Sequence, residues 1–164
     1  MITITIATES DIPDLVKLLT ILFKQEKEFE ENPDLERKGL HAIISDPKTG
    51  MIIVAKEEQK IVGMVNLLFT HSTALGARVA ILEDMIVSIT SRAKGVGSKL
   101  MSRAIQLAKA QQCARITLLV DQDNIQAQHF YEHFGFKGSS MIPYRLMIEE
   151  EEKKHLEQLK SKIK

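Results

Sequence analysis

Arg92-Ala93-Lys94-Gly95-Val96-Gly97 lies where an apolar strand pattern ends and an amphipathic helix pattern begins. That is where a diphosphate could be gripped. Such a group needs donors that converge without bulk. The first turn of a helix offers unpaired backbone N–H groups and about half a positive charge. Glycine permits close approach and unusual backbone angles. Gly95 and Gly97 meet that need, Ser98 adds a hydroxyl, and Arg92 and Lys94 supply countercharge. An ordinary strand-to-helix turn could use the same residues, but the strand before it and the well-formed helix after it favour a phosphate site. A Walker loop would need four residues between its glycines and then Gly-Lys-Ser/Thr, which is not this pattern. A Rossmann turn would need a small third residue where this chain has Leu100.

The elements that must position this turn follow from periodicity. Ile2, Ile4 and Ile6 alternate with Thr3 and Thr5, a half-buried strand. Ser10 is expected to cap a helix whose face is Ile12, Leu15, Leu18, Leu19, Leu22 and Phe23, with Pro13 tolerated in the first turn. A shorter helix is expected over residues 34–44. Residues 51–56 and 61–69 read as two strands joined by the polar turn at 57–60, a hairpin. A loop is expected at 70–76 and a strand at 78–87. Residues 95–111 form a helix with Val96, Leu100, Met101, Ala104, Leu107 and Ala108 on one face. Residues 115–120 are nearly all apolar, as in a central strand covered on both faces. A helix at 125–134 ends at Gly135, and Phe136 with residues 144–148 reads as a final hairpin. This order predicts one α/β domain, residues 1–148, with a largely antiparallel sheet and one buried parallel step. Residues 149–164 form a charged tail with helical Glu–Lys pairs four apart and a thin stripe of Leu156, Leu159 and Ile163. A solvated tail and a helix packed on a second subunit, giving a homodimer, are both compatible with it.

Composition bounds the function. The chain has 164 residues, 44% of them hydrophobic and 27% charged, as in a soluble globular domain. Its 22 basic and 22 acidic side chains cancel, which argues against a nucleic-acid binder. No apolar run is long enough to span a membrane, and the alternating N-terminus is unlike a signal peptide. Cys113 is the sole cysteine, so no internal disulfide can form and a reducing cytoplasm is the expected setting.

The motifs together resemble the GNAT-type N-acetyltransferase family. The coenzyme motif of that family is Arg/Gln-x-x-Gly-x-Gly/Ala, matched by residues 92–97. Asn124, then Phe130-Tyr131, then Gly135-Phe136 repeat a second family feature, and Leu82-Glu83-Asp84-Met85 a third. The family often has Asp-Pro before the Arg and Gly after it, where this chain has Ser88-Ile89 and Ala93. The resemblance implies the GNAT acyltransferase fold, a mixed, mostly antiparallel sheet of about 6–7 strands flanked by about 4 helices. The C-terminal tail would add an extra helix. It also implies acetyl-coenzyme A as co-substrate and no metal. Backbone groups of Met85, Ile86 and Val87 would run beside the pantetheine arm, and N–H groups from Arg92 through Ala93, Lys94, Gly95, Val96 and Gly97 to Ser98 would hold the pyrophosphate. Asn124 would contact the coenzyme between two splayed parallel strands, and Tyr131 would face the leaving sulfur.

Moving an acetyl group from a thioester to an amine needs a neutral amine, a donor for the developing oxyanion and a proton for the thiolate. A lysine-like amine has a pKa of about 10.4, so neutralising it at pH 7 costs roughly 4–5 kcal/mol. Glu83 is the first candidate to receive that proton, directly or through water. Asp84 is the second, expected on the opposite face because side chains alternate along a strand. Either could instead be a structural carboxylate. Tyr131 shares a helical face with Ala127, Phe130 and Phe134, which by pattern alone is a core aromatic. The resemblance makes it the general acid. Asn124 could also cap the helix that follows. His129 and His133 are four apart, but nothing nearby completes a metal motif. His71 could line the acceptor site.

The acidic run Glu26, Glu28, Glu30 and Glu31 would attract a cationic acceptor, or be no more than a solvated helix end. The expected activity is transfer of the acetyl group to a primary amine of a small molecule or peptide, by direct attack in a ternary complex. The competing reading is a non-catalytic acetyl-coenzyme A-binding sensor or interaction module.

Overall fold

A computed structural model describes residues 1–26 and 28–148 of the chain. It forms two compact units, Met1–Asn124 and a second that starts at Ile125. The first unit holds a five-stranded sheet in the order of the chain, β1 (Ile2–Ile6), β2 (Gly50–Glu57), β3 (Lys60–Ser72), β4 (Ala77–Val87) and β5 (Ile116–Leu118). The first four strands are antiparallel neighbours, and β5 runs parallel to β4. That parallel step is made through helix α3 (Val96–Ala110). Helices α1 (Ile12–Gln25) and α2 (Pro33–Ser45) lie between β1 and β2 in sequence. The second unit contains α4 (Ile125–His133).

Alternation along the strands builds two cores on the two sheet faces. Ile52, Val54, Met64 and Ile86 are buried with Leu15, Leu18 and Leu19 of α1 and Leu40 of α2. On the other face α3 buries Val96, Leu100, Met101 and Ala104. Gly63 belongs to that face, and a Cβ there would meet the Ile86 carbonyl and Leu100 Cδ1, each at 3.0 Å. The close approach of α3 to β3 therefore requires glycine.

Several expectations are corrected. The N-terminal helix is not entered through Ser10. The Thr8 N–H donates to Asp11 Oδ2 at 2.8 Å, and a short 3-10 turn, Glu9–Asp11, precedes α1. Asp11 is also the partner of Lys56 Nζ at 2.8 Å, so this cap ties α1 to β2. Among the described residues there are five strands, not six or seven. The final hairpin is missing because residues 136–148 take no strand form, in a stretch that carries Gly138, Ser139, Ser140 and Pro143. Consequently β5 is the last strand of the described sheet, not a central one, and only three residues long. The loop expected at 70–76 shrinks to a tight connection, with His71 inside β3 opposite Arg78. The anticipated C-terminal helix at 149–164 lies outside the described residues.

Candidate active site

The phosphate-type turn is built as its sequence suggests. Gly95 takes φ 74° and ψ 8° at the N-cap of α3, a left-handed conformation, and Ala93 takes φ 60°. Two left-handed residues in so short a stretch turn successive amides toward a common point, the concavity that receives anions. The Lys99 N–H is bonded to the Gly95 carbonyl at 3.1 Å, so the amides of Val96, Gly97 and Ser98 precede the first bonded turn. Arg92 to Gly95 and Ser98 are exposed. Arg92 also acts as a clamp, its Nε donating to the Val87 carbonyl at 3.0 Å. Its position between turn and strand fixes the distance of the turn from the end of β4.

β4 has one free flank beside that turn. Its pairing with β5 runs from Ala80–Ile116 to Leu82–Leu118 and ends there, while its pairing with β3 continues to Val87. Backbone groups from Glu83 to Ile86 on the β5 side are thus left without a neighbouring strand among the described residues. An extended polar chain could be received there as an added strand. Leu119 and Val120, just past β5, are exposed apolar residues within the same unit.

At this point β4 also carries a bulge. Met64 pairs with Ile86 and Asn66 with Glu83, so Val65 of β3 faces two residues, Asp84 and Met85. Asp84 takes φ 53°, which aspartate tolerates better than most side chains. The extra residue cancels the alternation expected of a regular strand. Glu83 and Asp84 therefore line the same cavity rather than opposite faces. That overturns the expected division between them.

The cavity has a volume of about 320 Å³ and lies in the first unit, between α1, α2 and the bulged part of the sheet. Phe23, Phe29, Leu35 and Ile43 give it apolar walls, and Glu30, Glu36, Asn66, Glu83 and Asp84 give it oxygen atoms. Phe23 and Phe29 are in ring contact, centroids 5.8 Å apart. Gly39 of α2 faces it with nothing within 4 Å of a built Cβ. Asn66 Nδ2 donates to Asp84 Oδ2 at 2.5 Å. Burial first, and then the negative charges of Glu83, Glu26 and Glu36, push the Asp84 carboxyl up to about 7. A carboxyl group at that value can exchange a proton near neutral pH. Asn66 Oδ1 and Glu36 Oε2 are buried and have no hydrogen-bond partner among the described residues. Each such orphan acceptor costs about 1–3 kcal/mol.

Asn66 and Glu36 were not among the residues singled out from sequence. An Asn inside an apolar strand is the one signal that could have flagged the first. Glu36 was hidden because it reads as a solvated residue in the first turn of a helix. His71 is exposed and does not line the cavity. Of the acidic run, Glu30 lines the cavity and Glu31 pairs with Lys24 at 3.3 Å.

Tyr131 belongs to the second unit. There it is half-buried and in ring contact with Phe130 (5.4 Å) and Phe136 (6.0 Å). Asn124, immediately before α4, donates its N–H to the Asp121 carbonyl at 3.0 Å. Burial pushes the Cys113 thiol up, against a weaker opposing effect of Arg78, so it is the neutral thiol at pH 7.

Residues 13–136 match the family described as Acetyltransferase (GNAT) family. An uncharacterized N-acetyltransferase, YhfO of Bacillus subtilis (strain 168), is 30% identical over 132 residues, covering 77% of this chain and 87% of that protein. A solved structure described as a transcriptional regulator from Bacillus halodurans C-125 is 32% identical, with TM-score 0.76 over 90% of this chain and 99% of that one. Glucosamine-6-phosphate N-acetyltransferase from Arabidopsis thaliana shares the fold, with TM-score 0.72 at 20% identity over 90% of this chain and 99% of that one.

Proposed function

The chain belongs to the GNAT acetyltransferase family, and from that premise we propose that it transfers the acetyl group of acetyl-coenzyme A to a primary amine. The acceptor is a small molecule or peptide, and attack is direct, in a ternary complex. Acyl transfer follows from the family.

The α3 turn fits the diphosphate of the coenzyme, because left-handed Ala93 and Gly95 leave amide donors ahead of the first bonded helical turn. Residues 92–98 would hold it, with Lys94 and Arg92 as countercharge. The free flank of β4 at Met85, Ile86 and Val87 would take the pantetheine arm. The Val87 carbonyl already accepts from Arg92, so Met85 and Ile86 carry more of that role. Asn124 remains the proposed coenzyme contact at the entry to α4.

In the reaction, the amine nitrogen attacks the thioester carbonyl, an N–C bond forms and the C–S bond breaks. The ammonium proton first passes to Asp84, directly or through water. The second nitrogen proton, released once the N–C bond has formed, replaces the one that Tyr131 gives up, and a backbone N–H of the bulged strand stabilises the oxyanion. Tyr131 gives a proton to the departing thiolate. Sequence alone favours Glu83 as the base. The bulge favours Asp84, because burial and neighbouring carboxylates raise its proton affinity into the working range. Glu83 then supplies negative charge that draws a cationic amine to the cavity mouth. The role of Tyr131 rests on its place in the Phe-Tyr motif and on its half-buried ring.

The observation that carries the reading is the bulge of β4, which brings Asp84 and Glu83 into the lining of one cavity beside the strand flank that β5 leaves unpaired. A thiol-release assay with acetyl-coenzyme A and a panel of primary amines tests it, with Asp84→Asn in parallel. Amine-dependent release that the variant loses supports the proposal. The second reading, a sensor that binds the coenzyme without transfer, is favoured by the description of the relative from Bacillus halodurans as a transcriptional regulator. Thermal stabilisation by acetyl-coenzyme A with no thiol release from any amine would select it.

A further inference from the structure

Asn66 is a polar side chain in apolar surroundings. It is 1% exposed in β3, beside Met64, Val65 and Leu67, which are fully buried. Burying an amide costs free energy unless its groups are paired. Nδ2 is paired, donating to Asp84 Oδ2 at 2.5 Å. Oδ1 is buried and has no partner among the described residues. It is closed to the cavity, so no ligand there can satisfy it. An apolar side chain at this position would avoid that loss. Packing therefore does not explain the amide, and its one bond points to what it does.

That bond spans the bulge. Asn66 is in register with Glu83, and Asp84 is one of the two residues that Val65 faces. Asp84 stands at φ 53°, outside the regular strand, so the ladder alone does not set where its carboxyl points. Tying Oδ2 to β3 leaves Oδ1 for the cavity that Asp84 lines. The bond survives protonation, because Oδ2 accepts as a carboxylate oxygen and also as the carbonyl of an acid protonated on Oδ1. It is stronger to the carboxylate, so it favours the ionised form. The charges that oppose ionisation are Glu83 of β4, Glu26 at the end of α1 and Glu36 of α2. Among the described residues no cation lines the cavity. We propose that Asn66 is a positioning residue for the acetyl transfer: its amide holds one oxygen of Asp84 to β3, aims the other at the amine and keeps the carboxylate available as base. This rests on the reading of Asp84 as the base.

The test is Asn66→Val, which suits a strand and removes the donor and the orphan oxygen together. The variant should fold and keep the rise in Tm given by acetyl-coenzyme A. Turnover should fall by about ten- to a hundred-fold, as for a misplaced reacting group. The acid limb of kcat/KM should move up by about one to two pH units, the worth of a hydrogen bond to a charged group. The carboxyl carbon NMR signal of Asp84, assigned by its loss in Asp84→Asn, should show the same upward shift with no substrate present. In wild type the side-chain amide signals of Asn66 should move at the midpoint of Asp84. Amide signals that stay flat across that midpoint overturn the proposal without any variant, as does an Asp84 midpoint that Asn66→Val leaves in place. A fixed midpoint beside an inactive Asp84→Asn discards Asn66 and leaves the base standing. Full turnover in Asp84→Asn removes the base, and this role in the reaction with it.

Discussion

At the scale of single residues, the adjacent carboxylates Glu83 and Asp84 can be separated by experiment. If Asp84 takes the proton, kcat/KM rises with pH through about 7, because only the ionised carboxylate can act as base. Asp84→Asn should then lower turnover by about a hundred- to ten-thousand-fold. Glu83→Gln removes one of the charges that raise Asp84, so the acid limb should move to lower pH while activity survives. The opposite pattern, with Glu83→Gln inactive and Asp84→Asn retaining its acid limb, would return the base role to Glu83. For Tyr131→Phe the expected loss in turnover is about ten- to a thousand-fold with coenzyme affinity little changed. Undiminished turnover would make Tyr131 a packing residue of its aromatic group. What sequence could not supply here was direction. Period-two alternation sends Glu83 and Asp84 to opposite faces, and nothing in the residue types announces a bulge. The left-handed φ of Asp84 appears only when Val65 is seen to face two residues.

At the scale of elements, β1, the β2–β3 hairpin, α1 and α3 were legible because each has a clean period, though the entry to α1 was not. Gly95 marks the start of α3, and Lys60 the return of the hairpin. The short β5 and the absent last hairpin were not. An apolar run such as Arg115 to Val120 reads the same whether or not a strand flanks it, and here only Ile116–Leu118 pair with β4. The acceptor cavity was illegible for another reason, since it is made by α2 lying against α1 and the sheet, and no local pattern encodes that contact. Two variants probe these elements separately. Gly97→Glu puts bulk and negative charge where the diphosphate would sit, yet an acidic residue in the first turn of a helix is tolerated well. The folded protein should therefore lose the rise in Tm given by acetyl-coenzyme A. An intact rise would remove the α3 turn from the coenzyme site. Gly39→Leu fills open space on the cavity side of α2 and replaces a poor helix former. Acceptor KM should climb by about tenfold or more while the coenzyme-induced rise in Tm is kept. Unchanged acceptor kinetics would place the amine outside this cavity.

At the scale of the whole molecule, the same buried carboxyl that serves chemistry must weaken the fold at high pH. Asp84 is raised from 3.8 to about 7 in the folded chain, so the native state holds a proton that the unfolded state releases. Its stabilising contribution is complete below 3.8 and is lost as pH rises to about 7. Asp11 works in the other direction. Burial opposes its ionisation, but Lys56 and Thr8 outweigh that and hold it below 3.8, so its contribution disappears only as pH falls further. The two windows do not overlap. The Tm of wild type relative to Asp84→Asn should therefore decline as pH rises from about 4 to about 8, a range in which Asp11 contributes a constant. Parallel curves would mean that Asp84 is ionised throughout and that the cavity is wetter than its lining indicates.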